Sequence, residues 1–247
     1  MIIDFHVHGK ITSTFPFDKE KFLLTINEAK ENGLDSIAVV EHCGADNFLE
    51  GYNYFNDNYP QIDDYYNVKG VKVFYGTEIT IKQVLDILFI GNPKLVLELR
   101  EKVCKTKDDE YIDINELFKL YIPEDILVIL AHPYRDHDIF PELEKYVINR
   151  IDAIEFNSKD LYKHGMEHMK DRVRKLANKL NLPIVCGSDT HYFIQVSSAK
   201  NIFVKECTSV KDIKEEIKTG KYKVDFSYDL NVRVKSAIII KKLICNK

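Results

Sequence analysis

Short, nearly continuous apolar runs alternate along this chain with stretches whose apolar positions recur at helical spacing. The runs are IIDF (2–5), DSIAVVEH (35–42), VKVFYGTEI (71–79), LDILFIG (85–91), ILVILAHP (126–133), IDAIEFN (151–157) and LPIVCGSD (182–189). Their length and β-branched content predict strands, and apolarity on both faces is what a parallel sheet covered on each side requires. Between them, KEKFLLTINEAKENG sets Phe22, Ile26 and Ala29 on one helical face, with Asp18 as N-cap and Gly33 as C-cap. PKLVLELREKV, PELEKYVINR and the long LYKHGMEHMKDRVRKLANKL read as further helices. The tail adds the run KNIFVKE, a helix around VKDIKEEIKTG and a last helix over 231–244. Strand–helix alternation over most of the chain predicts an α/β fold with a parallel sheet and short crossovers. Seven or eight such units close into a barrel, and fewer leave an open sheet. Neither GxGxxG nor GxxxxGK[ST] occurs, so no nucleotide-binding fingerprint favours the open form.

The ionisable residues fall at the ends of these runs. His6 and His8 follow the first, Glu41 and His42 end the second, and Glu78 ends the third. His132 and Asn157 end two more, and Asp189 and His191 follow the last. Five of the eight histidines thus lie just past a strand, and parallel strands would bring them to one rim. Residues two apart on an extended segment share a face, so His6 with His8, and Asp189 with His191, can converge on one ion. Mixed imidazole and carboxylate ligands without thiolates suit catalytic zinc, manganese or iron rather than a structural zinc. Any one of these residues alone reads more simply as an ordinary loop histidine or capping acid. Their coincidence on one rim is what points to a metal site.

Composition narrows the setting. The chain has 247 residues with a formal net charge of −4, which argues against a dedicated nucleic-acid binder but not against a small anion held by a local cationic centre. Its five cysteines form no CxxC pair, and free thiols in a reducing cytoplasm are the simplest account. No run reaches the length of a membrane span, and the N-terminus lacks the layout of a secretory signal. The expectation is a cytoplasmic protein, one domain over 1–247, with no membrane partner and nucleic acid disfavoured. Oligomeric state leaves no trace in the sequence.

The motifs DFHVH (4–8), VVEH (39–42), GTEI (76–79), AHPYR (131–135), IEFNS (154–158) and GSDTH (187–191), in this order, resemble those of the PHP superfamily, named for polymerase and histidinol phosphatase. The resemblance spans roughly residues 1–230 and implies a distorted (β/α)7 barrel, with two or three divalent metals at the strand C-terminal rim and hydrolysis of phosphate esters. By that resemblance His6, His8, Glu78 and Asp189 bind a first metal, and His42 and His191 a second. Glu78 bridges to a third, which His132 also holds. Two departures stand out. Where related sequences carry a further Asp or His ligand after the HxH, this chain offers Thr14, and Asp18 reads better as a helix cap. Where many carry a histidine five residues before the glycine of LDILFIG, it has Asp86, which would keep the third site with a harder ligand.

Such ions supply hydroxide at neutral pH and stabilise charge on phosphoryl oxygens. Three dications bring roughly +6 against −3 from Glu78, Asp86 and Asp189, a surplus that suits a phosphate monoester. The catalytic candidates are Glu41, orienting a ligand or touching substrate, and Arg135, placed to fork onto phosphate. Asn157 and Lys10 are further substrate-binding candidates, against plain readings as a turn asparagine and a loop lysine. HGMEH (164–168) matches the H-x-x-E-H zinc-protease pattern but accounts for no other residue, and a solvated helix face explains it better. Cys186 reads as a buried structural thiol and His137 as a surface loop residue. The expected activity is a metal-dependent phosphatase on a small phosphorylated substrate, of the histidinol phosphate or nucleotide-related kind. The alternatives are a phosphodiesterase or exonuclease on nucleic-acid ends, and a weakened PHP domain with a regulatory binding role.

Overall fold

The computed structural model describes residues 1–103, 111–120, 122–136 and 138–246. His137 lies outside them. Among the described residues eleven strands form one sheet: β1 (Ile2–Val7), β2 (Ser36–His42), β3 (Gln61–Ile62), β4 (Tyr65–Val68), β5 (Val71–Thr80), β6 (Asp86–Gly91), β7 (Leu127–Ala131), β8 (Ala153–Asn157), β9 (Ile184–Gly187), β10 (Ala199–Phe203) and β11 (Tyr222–Phe226). The spatial order is β11-β10-β1-β2-β5-β6-β7-β8-β9. The residues after β9 then return to β1 through a parallel bridge between Val7 and Thr190. His8 N donates to Thr190 O at 2.8 Å, and Thr190 N to His6 O at 3.2 Å. Seven strands thus close into a distorted α/β barrel. The short β3–β4 hairpin hangs on β5, and β10–β11 extend from the N-terminal half of β1.

One strand runs against the expected direction. β6 pairs antiparallel with both β5 and β7. Only residues 81–85 separate β5 from β6, too few for a crossover of a dozen or more residues. The reversal carries Asp86, the first residue of β6, to the rim where the other strands end. Further differences are local. Gly165, at φ +91, breaks the long helical stretch into Ser158–His164 and Met166–Leu180, so His164 and His168 belong to different helices and both are exposed. PELEKYVINR holds only the single turn Lys145–Ile148. The helix Leu49–Asn58 and strand β11 have no counterpart among the predicted elements. Cys43 is disulfide-bonded, which departs from the expectation of free thiols, whereas Cys186, Cys207 and Cys245 are free.

Period-two alternation sets the barrel interior. Phe5, Ala38, Val40, Phe74, Leu88, Ile90, Ile129, Ala153 and Val185 pack in one buried cluster. Two residues further towards the rim on the same face come His42, Glu78 (by way of Gly76), Asp86 and Glu155. The metal-ligand candidates are therefore the next layer of the core, stacked on an apolar plug. Helices cover the outer faces. In Lys19–Glu31, Phe22, Ile26 and Ala29 bury against the sheet, and Asp18 caps the helix by accepting from the N–H groups of Glu20 and Lys21.

Asp4 ties the closure together. Wholly buried, it accepts from the backbone N–H of His6 (3.2 Å), Ser188 (2.9 Å) and Ser197 (3.2 Å). Burial pushes its carboxyl up to about 6 despite these bonds. Between about pH 4 and pH 6 the folded protein retains a proton that the unfolded chain has lost, so the stability that Asp4 contributes falls as pH rises through this window. Two pK units correspond to roughly 3 kcal/mol. Denaturant unfolding of wild type and Asp4→Asn in the presence of chelator should show the wild-type advantage shrinking by an amount of this order from pH 4 to pH 7. A difference independent of pH would show that Asp4 does not titrate there.

Candidate metal centre

The rim gathers the predicted residues from six strands, and two local backbone features aim them. A register shift in β1 between Asp4 and Val7 turns His6 and His8 inward. His132 and Asp189 lie just past β7 and β9 in left-handed conformations, at φ +23 and +56. For non-glycine residues such backbone is held by its surroundings and is frequent at functional sites.

Glu78 is the hub. Its Oε1 lies 2.9 Å from His132 Nε2 and 3.6 Å from His6 Nε2, and its Oε2 lies 3.0 Å from His42 Nδ1 and 3.5 Å from His8 Nε2. Burial raises the carboxyl, but the imidazoles of His42 and His6 and the hydrogen bond from His132 outweigh it and hold Glu78 well below the usual carboxylate range. His6 Nε2 and His8 Nε2 face each other at 3.2 Å, and Asp189 Oδ1 is 3.4 Å from His8 Nε2. Among the described residues three groups could each hold an ion: His6, His8 and Asp189; His6, Glu78 and His132; and His8, His42 and His191. The sets overlap those implied by the resemblance, but His6 joins Glu78 and His132, and His8 joins His42 and His191.

Two observations test whether a metal fits. With ligand bonds of about 2.0–2.2 Å, neighbouring ligand atoms around an ion sit roughly 3–3.5 Å apart, which is close to the spacing of His6 with His8, His8 with Asp189 and His132 with Glu78. In addition, Glu78 Oε2 and His8 Nδ1 are buried without a hydrogen-bond partner. Orphaned buried acceptors are costly, and an ion at Glu78 Oε2 would relieve one of them. The donor set of imidazole nitrogens and carboxylate oxygens fits a divalent metal.

Two residues that the sequence reading passed over hold this cluster. Glu155, wholly buried on β8, takes His6 Nδ1 at 2.8 Å and accepts from His132 N at 3.0 Å. A carboxylate behind an imidazole fixes the tautomer that leaves Nε2 facing the metal. Burial raises Glu155, but His6 lowers it more. The reverse balance raises His6: burial disfavours its charge, but Glu155, Asp189 and Glu78 overcome that. Gly187 makes the approach possible, since a Cβ there would collide with both Glu155 Oε1 and His6 Cβ. Lys159 is the second, with Nζ 2.8 Å from Asp189 Oδ1 and 3.0 Å from His191 Nδ1.

The remaining candidates divide. Arg135 reaches the site, with Nη2 2.7 Å from Asp189 Oδ2 and Nε 3.1 Å from Asp160 Oδ1. Glu41 Oε1 faces His8 Nδ1 at 3.4 Å without a hydrogen bond. Asn157 is committed to protein: it caps the helix Ser158–His164, accepts from Arg135 and donates to Glu155 and Asp189. Asp86 stands outside the three groups, its Oδ2 3.7 Å from His132 Nε2 and its Oδ1 bonded to Thr80 Oγ1. Lys10 is buried and gives its ammonium to the carbonyls of Ser13 and Asp46, bracing a loop. Thr14 pairs with Thr12 at the surface. Cys186 is buried, and burial raises its thiol well above the usual range.

A family model described as PHP-associated matches residues 167–222. No curated protein matches the chain. Among solved structures, PsfC from Pseudomonas syringae PB-5123 is similar at a TM-score of 0.78 and 20% identity, covering 98% of both chains. Endonuclease Q in complex with a 27-mer duplex carrying an abasic lesion is similar at 0.62 and 20% identity, over 90% of this chain and 58% of that one. The lesion-specific endonuclease from Pyrococcus furiosus gives 0.58 and 19% identity, over 91% and 58%. At these identities the likeness is one of fold. The family-model match over residues 167–222 agrees with the resemblance that the six motifs carry. Two expectations need adjusting. Net charge does not set nucleic acid aside, because endonuclease Q has this fold and its structure holds a duplex. On the membrane, what holds is that no helix among the described residues is long and apolar enough to cross one.

Glu155→Gln keeps the shape but removes the charge behind His6. Metal affinity should fall by about 10–100-fold, measured by calorimetric titration with zinc, while unfolding stays cooperative. An unchanged affinity would mean that Glu155 does not act on the metal through His6.

Proposed function

We propose that this chain is a metal-dependent phosphatase acting on a small phosphate monoester, working as a single cytoplasmic domain. What carries the reading is the convergence of Glu78, Asp189 and five imidazoles in three overlapping groups that share His6 and His8. When bound there, divalent ions would lower the pKa of water to about 7 and offset charge on phosphoryl oxygens. The chain's own residues do the rest. Glu155 fixes the His6 ring, Glu41 faces the outer nitrogen of His8, and Asn157 braces Glu155 and Asp189. Arg135, a quarter exposed and already reaching into the rim, is placed to meet a phosphate oxygen.

A cavity of about 60 Å³ opens beside His8 and His191, lined among others by Ile11, Phe15, Tyr192 and Phe193. At about 10–15 Å³ for each water, it has room for a small, partly apolar group. That supports a compact leaving group. Cleavage of a phosphodiester in nucleic acid is the second reading, favoured by the shared fold with endonuclease Q. We assign Asp86 to the third metal with Glu78 and His132, on its place at the rim and its distance of 3.7 Å from His132 Nε2.

Purified protein loaded with manganese or zinc should turn over p-nitrophenyl phosphate and lose that activity on chelation. Faster cleavage of bis(p-nitrophenyl) phosphate, or of an abasic duplex, would replace the first reading by the second. Full turnover after thorough metal stripping would sink both. For Asp86→Ala, elemental analysis should find about one metal fewer per chain. An unchanged count would leave Asp86 as the partner of Thr80.

A further inference from the structure

Asp189 sits among cations that the sequence keeps apart. Lys159 comes from the first turn of the helix Ser158–His164, Arg135 from the loop after β7, and Lys241 from the last helix, Leu230–Cys245. Lys159 and Arg135 both touch the Asp189 carboxylate, at 2.8 and 2.7 Å. Lys241 lies within their field: burial lowers its ammonium first, and the charges of Lys159 and Arg135 lower it further. Asp160 answers Arg135, which leaves more positive charge on this side of the rim than Asp189 balances.

Lys159 stands in the way of the ligands it touches. If Nδ1 of His191 accepts from the ammonium, the ring proton resides on Nε2, and neither nitrogen then has a free lone pair for an ion. The structure also holds the alternative partner, since the Asp189 carbonyl lies 3.1 Å from the same Nδ1. With Nδ1–H donating to that carbonyl, Nε2 becomes the ligand nitrogen and Lys159 loses His191 as an acceptor, and an ion at Asp189 Oδ1 would compete for its other partner. A lysine of this length, 23% exposed, then turns toward solvent at the mouth of the site, where a substrate anion enters.

We propose that Lys159 is a phosphate-binding residue of this site, and that its ammonium competes with the metal for Asp189 and His191 until it is released to the substrate. The inference rests on the metal-dependent phosphoesterase reading. It makes metal and phosphate affinities move in opposite directions on one substitution, which a merely structural lysine would not do.

The test is calorimetric titration of Lys159→Met with manganese, then of the manganese-loaded protein with inorganic phosphate. Removing the competing charge should tighten manganese by about tenfold or more, and losing a charge-assisted contact should weaken phosphate by about tenfold. Lys159→Arg should stay near wild type for phosphate. Manganese affinity that is unchanged or weaker, or phosphate affinity that is unchanged, overturns the proposal. The wild-type protein gives an independent reading by amine acylation and peptide mass spectrometry. Manganese should raise labelling of Lys159 several-fold, and phosphate should reverse it. Labelling indifferent to manganese overturns the proposal whether or not the variants fold. A wild-type protein that binds no manganese at all would instead remove the metal-dependent reading itself.

Discussion

A single buried carboxylate organises this molecule. Glu78 is 1% exposed and faces four imidazoles, those of His6, His8, His42 and His132, within 3.6 Å. A carboxylate removed from water is tolerated only with charge or hydrogen bonds around it. Those imidazoles come from β1 and the residue after it, from the end of β2 and from the residue after β7, so the need to surround Glu78 and the need to close the barrel are met by the same contacts. Behind the imidazoles stand Glu155, which holds His6, and Asp4, which holds the backbone of His6 and Ser188. The centre is therefore built in layers: an apolar plug, a ring of ligand candidates resting on it, and carboxylates that fix the ring from the side.

The reach of the sequence can be judged residue by residue. His6, His8, His42, Glu78, His132, Asp189 and His191 were legible as one rim because each follows an apolar run, and strands of common direction bring their ends together. Asp18 was legible as a cap because a short acid before a helical pattern satisfies free N–H groups. The direction of β6 was readable in principle from the five residues before it, but the expectation of uniform alternation overrode that signal. Its reversal matters, since only an antiparallel β6 puts Asp86 at the same rim as Glu78.

Other features leave weaker traces. Glu155 lies inside IDAIEFN, on the inward face between Ala153 and Asn157, and a carboxylate within a run buried on both faces calls for a buried cation or imidazole. The same argument applies to Asp4 within IIDF. Lys159 and Lys241 carry no comparable mark: both read as ordinary helix cations, and only the packing of the last helix on the helix Ser158–His164 brings them near one carboxylate. Lys10 shows the converse, a plausible substrate contact by position whose ammonium is engaged by loop carbonyls. Sequence pattern thus conveys which residues share a rim, whereas the partners on which buried charges depend follow from tertiary packing.

The claim that Glu78 centres a multi-metal site is tested most directly by crystals grown with zinc and measured above and below the zinc absorption edge. The account expects at least two anomalous peaks within the cluster, with Glu78 oxygens and the nitrogens of His6 and His8 at about 2.0–2.2 Å from an ion. Peaks confined to surface histidines, or Glu78 oxygens outside that range from every ion, would contradict it.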